Sequence, residues 1–221
     1  SGQREWFSPP PPFCFLAPGF PAEPESLLQR AVSVLHSSYL DPAARGGFQY
    51  SRAIPVENEA FRSELGAFAR AKEAAGYGRE ELQETFGFLL FDKEEEARAV
   101  CQTGLRVNSS SISTLGDPAK GVYVSKHADC LHPRPWRHGE SGYIVICKLI
   151  KGKVRVIPED YTTTYTCPSP GYDCHVAESR DPASARPGPG QAFEQSQCYV
   201  YEVCAGGPAE RPRQVCPYIM L

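Results

Sequence analysis

Three clusters of side chains in this 221-residue sequence could do chemistry. Cys130 with His132, and Cys174 with His175, could offer thiolate and imidazole to a metal. Structural zinc is usually held by a paired C-x₂₋₄-C spacing, and the nine cysteines contain none. Free cysteine is also among the most buried residue types, so these residues read as core, and no metal or other cofactor is expected. Nucleophilic catalysis has no anchor either: G-x-S-x-G, G-x-C-x-G and a glycine-rich phosphate loop are all missing.

The second cluster is His132-Pro-Arg134-Pro-Trp136-Arg137-His138. Arg134, Trp136 and Arg137 form a candidate interaction surface, because guanidinium and indole groups can pair with and stack on single-stranded RNA or a phosphopeptide. The bland alternative is a proline-bent loop whose Trp136 plugs the domain. The third cluster, Glu94-Glu95-Glu96, reads as a first helical turn whose charge complements the helix dipole.

These side chains need elements to carry them. Residues 1–22 hold the Pro9–Pro12 run without periodicity and read as a proline-rich flexible arm, with one domain over 23–221. Pro24 suits the first turn of a helix whose Leu28, Val32, Leu35 and Tyr39 share a face, ended by Asp41-Pro42. Phe48 to Val56 is expected as a strand. Asn58 caps a helix striped by Phe61, Leu65 and Phe68, and a short helix from Arg79 follows.

Phe86 to Phe91 is a strand-length apolar run. Asp92 then reads as an N-cap with Glu95 as its reciprocal partner, Ala97, Val100 and Cys101 as the buried stripe, and Gly104 at the end. Strands are expected at 121–124, at 143–150 (apolar enough to be covered on both faces), at 154–157, at 198–203 and at 215–221. Residues 181–190, rich in Pro, Ala and Gly, read as a flexible loop. Helices in the first half and strands in the second imply an α+β domain with a mixed, mostly antiparallel sheet and flanking helices.

Composition narrows the function class. A net charge of −3 argues against a dedicated nucleic-acid binder. No stretch reaches the roughly 20 apolar residues of a membrane helix. No secretory signal is visible at the polar, proline-rich start, and an odd cysteine count suits a reducing compartment.

The ordered series is more specific. A strand at 86–91 leads to a helix ending Gln102-Thr103-Gly104-Leu105. Then come Lys120-Gly-Val-Tyr123, Ser125-Lys-His-Ala-Asp-Cys130, a strand with Gly152-Lys153, and Cys198-Tyr-Val-Tyr-Glu202. This resembles the catalytic domain of the poly(ADP-ribose) polymerases (PARPs), and implies a PARP-like fold. More narrowly, Leu35-His-Ser-Ser-Tyr-Leu40, Leu115-Gly-Asp-Pro118, Tyr172-Asp-Cys-His-Val176 and Arg211-Pro-Arg-Gln-Val-Cys-Pro-Tyr218 resemble the N-terminal domain of the TASOR family.

What the resemblance implies is a degenerate enzyme. Active PARPs use a His-Tyr-Glu triad and a stacking tyrosine to hold NAD. Here the strand ends Leu90-Phe91-Asp92-Lys93 without the His, and His127 lies in another element. Tyr123 matches the Tyr, Gln197 takes the place of the Glu, and Cys130 takes the place of the stacking ring. Asp92 is expected to turn inward and cap its helix, occupying donors a ligand would need. The family further implies a nuclear silencing module of a HUSH-like complex, with MPP8 and Periphilin docking through other regions of the parent protein. An unorthodox mono-ADP-ribosyltransferase and a single-stranded RNA-binding module are the competing readings.

Overall fold

The structure, a computed structural model, describes residues 25–158, 167–179 and 186–221. The arm over 1–22, Pro24, and residues 181–185 of the expected loop lie outside the described residues. Helix α1 (Leu27–Ser37) starts at a capping box: the Ser26 hydroxyl accepts from the Gln29 N–H, and the Gln29 side chain accepts from the Ser26 N–H. Of the expected row Leu35 is buried in the helix and Tyr39 just past its end, while Ala31, flanked by Leu27 and Val34, takes the buried place expected for Leu28 and Val32. Leu27, Ala31 and Leu35 step by four, the spacing that stacks side chains on one helix face.

The strand expected over Phe48–Val56 shrinks to β1 (Ile54–Pro55). Pro42–Gly47 forms a 3₁₀ turn begun by the Asp41 side chain. Phe48 and Tyr50 are then spent on ring contacts with Trp136, Tyr39 and His36, and Pro55 has no N–H to extend a ladder. Helix α2 (Glu59–Ala74) is capped by Asn58 and buries Phe61, Leu65 and Phe68, as expected. No helix starts at Arg79: a turn closes on Gly78 and Glu80, and strand β2 (Glu84–Phe91) begins at once.

Helix α3 (Glu94–Thr103) corrects the expected cap. Lys93 stands at the N-cap position, no side chain caps the helix, and Asp92 is exposed. Three glutamates already supply negative charge to the first turn, and Glu94 reaches Arg98 and Arg52. Gly104, at φ 81°, ends the helix where the Arg211 side chain passes; a Cβ there would lie 2.3 Å from Arg211 Cδ.

The remaining elements are β3 (Val122–Ser125), β4 (Tyr143–Ile150), β5 (Val154–Ile157), β6 (Cys174–Ala177), α4 (Pro189–Gln195), β7 (Gln197–Val200), β8 (Val203–Cys204), β9 (Gly207–Pro208) and β10 (Val215–Met220). The strand expected to run to Val203 stops at Val200, and β8 turns back against β9 as a separate hairpin. Strand β6 and helix α4 were not foreseen. Pro189 at the first helical position starts α4 inside the segment expected as loop, because its fixed φ is already helical.

Among the described residues one sheet of eight strands runs β1-β10-β4-β2-β3-β7-β6-β5, with only β5–β6 parallel. Helix α1 covers Phe88, Ile146 and Ile219 on one face, and α3 covers Val145, Cys147 and Leu149 on the other. Strand β4 is thus enclosed from both sides. Among the described residues no helix is long and apolar enough to cross a membrane. The join between β2 and β3 is thin: Phe88 and Ser125 are its one registered pair.

Candidate functional site

Beyond that join, strand pairing sets a row of aromatic side chains on one face. Tyr123 on β3 lies opposite Tyr199 on β7, which lies opposite His175 on β6. Tyr201 follows two residues after Tyr199, so it points the same way. Ring centroids are 5.0 Å apart for Tyr123–Tyr199, 5.6 Å for Tyr199–His175 and 5.2 Å for His175–Tyr201. All four are buried.

Four polar groups buried together must be satisfied, and here the segment 115–117 satisfies most of them. The Tyr123 hydroxyl donates to the Gly116 carbonyl (2.5 Å) and accepts from the Leu115 N–H (3.2 Å). Tyr199 donates to the Asp117 carbonyl (2.7 Å). His175 Nδ1 meets the Leu115 carbonyl at 2.8 Å; a carbonyl only accepts, so Nδ1 carries the proton. Its Nε2 then accepts from the Ser169 hydroxyl at 2.7 Å, which itself accepts from Arg155. Tyr201 exchanges two bonds with the Ser169 backbone.

Burial tunes these groups away from proton transfer. It pushes the Tyr123 hydroxyl up to about 12, raises Tyr199 and Tyr201 further, and holds the His175 imidazole below its ordinary value. The fit is tight. A Cβ on Gly116 would lie 2.2 Å from the Tyr199 ring, and one on Gly121 would lie 2.5 Å from its other edge. The Tyr199 ring is slotted between two glycines.

The expected site residues take separate places. Tyr123 is in the row. Gln197 shares its face on β7, but pairs with Ser125 and donates its amide to the Phe193 carbonyl at 3.1 Å. Asp92 is exposed at the α3 start, so it does not turn inward. Cys130 is half-buried in the loop after β3, where burial pushes its thiol up to about 11 and the Asp129 carboxylate accepts from it. No hydrogen bond joins any two of these four among the described residues. A cleft of about 290 Å³ beside the row, between Leu115 and α4, is lined by Thr114, Leu115, Glu178 and Glu194, and Asp92, Tyr123, Cys130 and Gln197 do not line it.

The metal candidates are engaged otherwise. His175 spends both nitrogens as above, and the Cys174 thiol faces that of Cys198. Among the described residues no group of three or more His, Cys, Asp or Glu is placed to hold a metal ion. In the 132–138 loop, Arg134 pairs with Glu140 at 2.8 Å, and the Arg137 N–H also donates to Glu140. Trp136 meets Phe48 and His132 edge-on, both at 6.0 Å, so the indole is half-buried against the domain. Sequence reasoning missed Tyr199, Tyr201 and His175 as one unit. The signal within reach was the i, i+2 spacing of the two tyrosines on a strand.

Residues 71–217 match the family model described as "Protein of unknown function (DUF3715)". The chain is 34% identical to Protein TASOR of Homo sapiens over 199 residues, 86% of this chain and 12% of that protein. It is 35% identical to Protein TASOR of Xenopus laevis over 202 residues, 87% of this chain and 13% of that protein. It therefore spans only about an eighth of the length of these relatives. Among solved structures, the crystal structure of the TASOR pseudo-PARP domain superposes with a TM-score of 0.79 at 35% identity, over 89% of this chain and 93% of that one.

Proposed function

Because this chain belongs to the DUF3715 family of TASOR-like pseudo-PARP domains, we propose that it is a catalytically inactive interaction module of a HUSH-like nuclear complex that represses transcription in chromatin. Its parent protein would gather MPP8 and Periphilin through regions outside this domain. No cofactor takes part.

One observation carries the reading. The Tyr123 hydroxyl, the one triad position that keeps its residue type, is bonded to Leu115 and Gly116 of its own chain. A tyrosine so occupied offers a dinucleotide neither donor nor face. Transfer of ADP-ribose also passes through a sugar cation, which an enzyme stabilises with preorganised negative charge. Gln197 is neutral and donates to the Phe193 carbonyl, and Asp92 is out in solvent.

The test is titration of the purified chain with NAD at millimolar concentration, read by melting temperature and by saturation-transfer NMR. The expected result is no shift and no transfer. Saturable binding that is lost on Tyr123→Ala would overturn the reading and restore an unorthodox mono-ADP-ribosyltransferase.

A further inference from the structure

Residues 108–118 form a strap over the aromatic row, and its two ends meet. The Asn108 N–H donates to the Pro118 carbonyl at 2.6 Å, which closes the strap at its base. Asn108 is the one non-glycine among the described residues with a left-handed backbone (φ 62°), a region that asparagine tolerates better than most side chains. From 109 to 116 no residue makes a backbone–backbone bond to another element among the described residues. Side chains hold the strap down instead. The Tyr123 and Tyr199 phenols and the His175 imidazole bond to the backbone of Leu115, Gly116 and Asp117. Leu115, 1% exposed, and the partly buried Ile112 are its apolar anchors. The stretch Ser109-Ser-Ser-Ile-Ser-Thr114 is otherwise polar, and Ser109, Ser111 and Ser113 are exposed. Two apolar anchors and no ladder place the strap among the segments that open before a domain unfolds.

We propose that the strap is a latch: it lifts off the row as one unit while the sheet stays folded, and in lifting it uncovers Tyr123 and Tyr199. The closed latch is then an autoinhibitory contact. A partner that uses the row meets it only in the open fraction, so its apparent affinity falls by that fraction. The three holding side chains act together, because they grip backbone groups of three consecutive residues. Removing one grip therefore loosens the others, as expected of groups that share one network. The latch is a property of the fold and is independent of the NAD titration, which reads the chemistry of the site and not its opening.

Amide hydrogen exchange of the ¹⁵N-labelled chain, in water and in low urea, tests the latch. The reporter is the Leu115 N–H, which the Tyr123 hydroxyl accepts from. It should exchange at least about tenfold faster than the β4 amides, and its rate should hardly change with urea, because a local opening exposes little surface. The β4 amides should speed up with urea, as global unfolding does. Tyr199→Phe removes the bond to Asp117 and leaves the Leu115 N–H its own partner. It should nevertheless speed Leu115 exchange about fivefold, the worth of one hydrogen bond. If that variant fails to fold, the urea dependence of the unaltered chain decides the matter. Leu115 exchange that follows β4 in both rate and urea dependence would overturn the latch. Fast exchange that ignores Tyr199→Phe would overturn it too, since Leu115 would then fray alone and the strap would not move as a unit.

Discussion

On the face of the eight-stranded sheet that α1 covers, the two halves are held together by different physics, while a single apolar cluster runs across both on the α3 face. Strands β10, β4 and β2 are packed by aliphatic side chains and Phe88 beneath helices on both faces. Strands β3, β7 and β6 carry tyrosines and a histidine whose polar atoms are spent on the backbone of one short segment. Burial of apolar area is non-directional, and a core of that kind tolerates exchange of like-sized side chains. A hydrogen-bonded core is different, since each partner lost leaves a buried group unsatisfied. The helix-covered half is a frame of packed apolar side chains, and the tyrosine half ties segment 115–117 to the sheet.

The comparison breaks first at its strongest point. Phe88 is 1% exposed, packs under α1, and forms the one registered pair between the halves. Phe88→Ala should cost about 3–5 kcal/mol, and Phe88→Leu under about 1.5 kcal/mol, by urea denaturation. If leucine costs as much as alanine, the aliphatic half is as shape-specific as its neighbour and the contrast fails. Next comes Gly116→Ala. The added methyl meets the Tyr199 ring, and overpacking of this kind costs about 1–3 kcal/mol. Combining it with Tyr199→Ala should give less than the sum of the two single losses, because the ring that clashes is then gone. Simple additivity would mean that Gly116 is needed for its backbone alone.

Much of the first half was legible from local pattern. Strand β4 is an apolar run interrupted only by Lys148, and α2 follows from Asn58 and a stripe of three residues. The cap on α3 misled, because Asp92 has the right residue type while the glutamates that follow already satisfy the helix dipole. Helix α4 was hidden by its Pro-Ala-Gly setting, although Pro189 is itself a start signal. The site was less legible. Tyr123 could be singled out by resemblance, but its partners depend on β3, β7 and β6 lying side by side, three strands far apart in sequence. No local period encodes that order. The glycines at 116 and 121 make sense only once a ring is known to pass between them.

The smallest effect sharpens the comparison most, because it singles out one polar atom set. Burial holds the His175 imidazole below its ordinary value of 6.5, against the Leu115 carbonyl, which favours the charged form. The unfolded chain therefore binds this proton more readily than the folded one. Stability from the neutral imidazole is complete above the unfolded value and declines as pH falls below about 6.5, until the folded value is reached. His175→Gln keeps a donor for Leu115 and an acceptor for Ser169 but cannot titrate. Stability curves for the two proteins should thus run parallel from pH 8 to about 7 and converge toward pH 5, as the unaltered chain loses its advantage. Curves that stay parallel to pH 5 would show that protonating this ring costs the fold nothing. The tyrosine half would then owe its specificity to ring packing in its glycine slot, with the hydrogen bonds to 115–117 secondary.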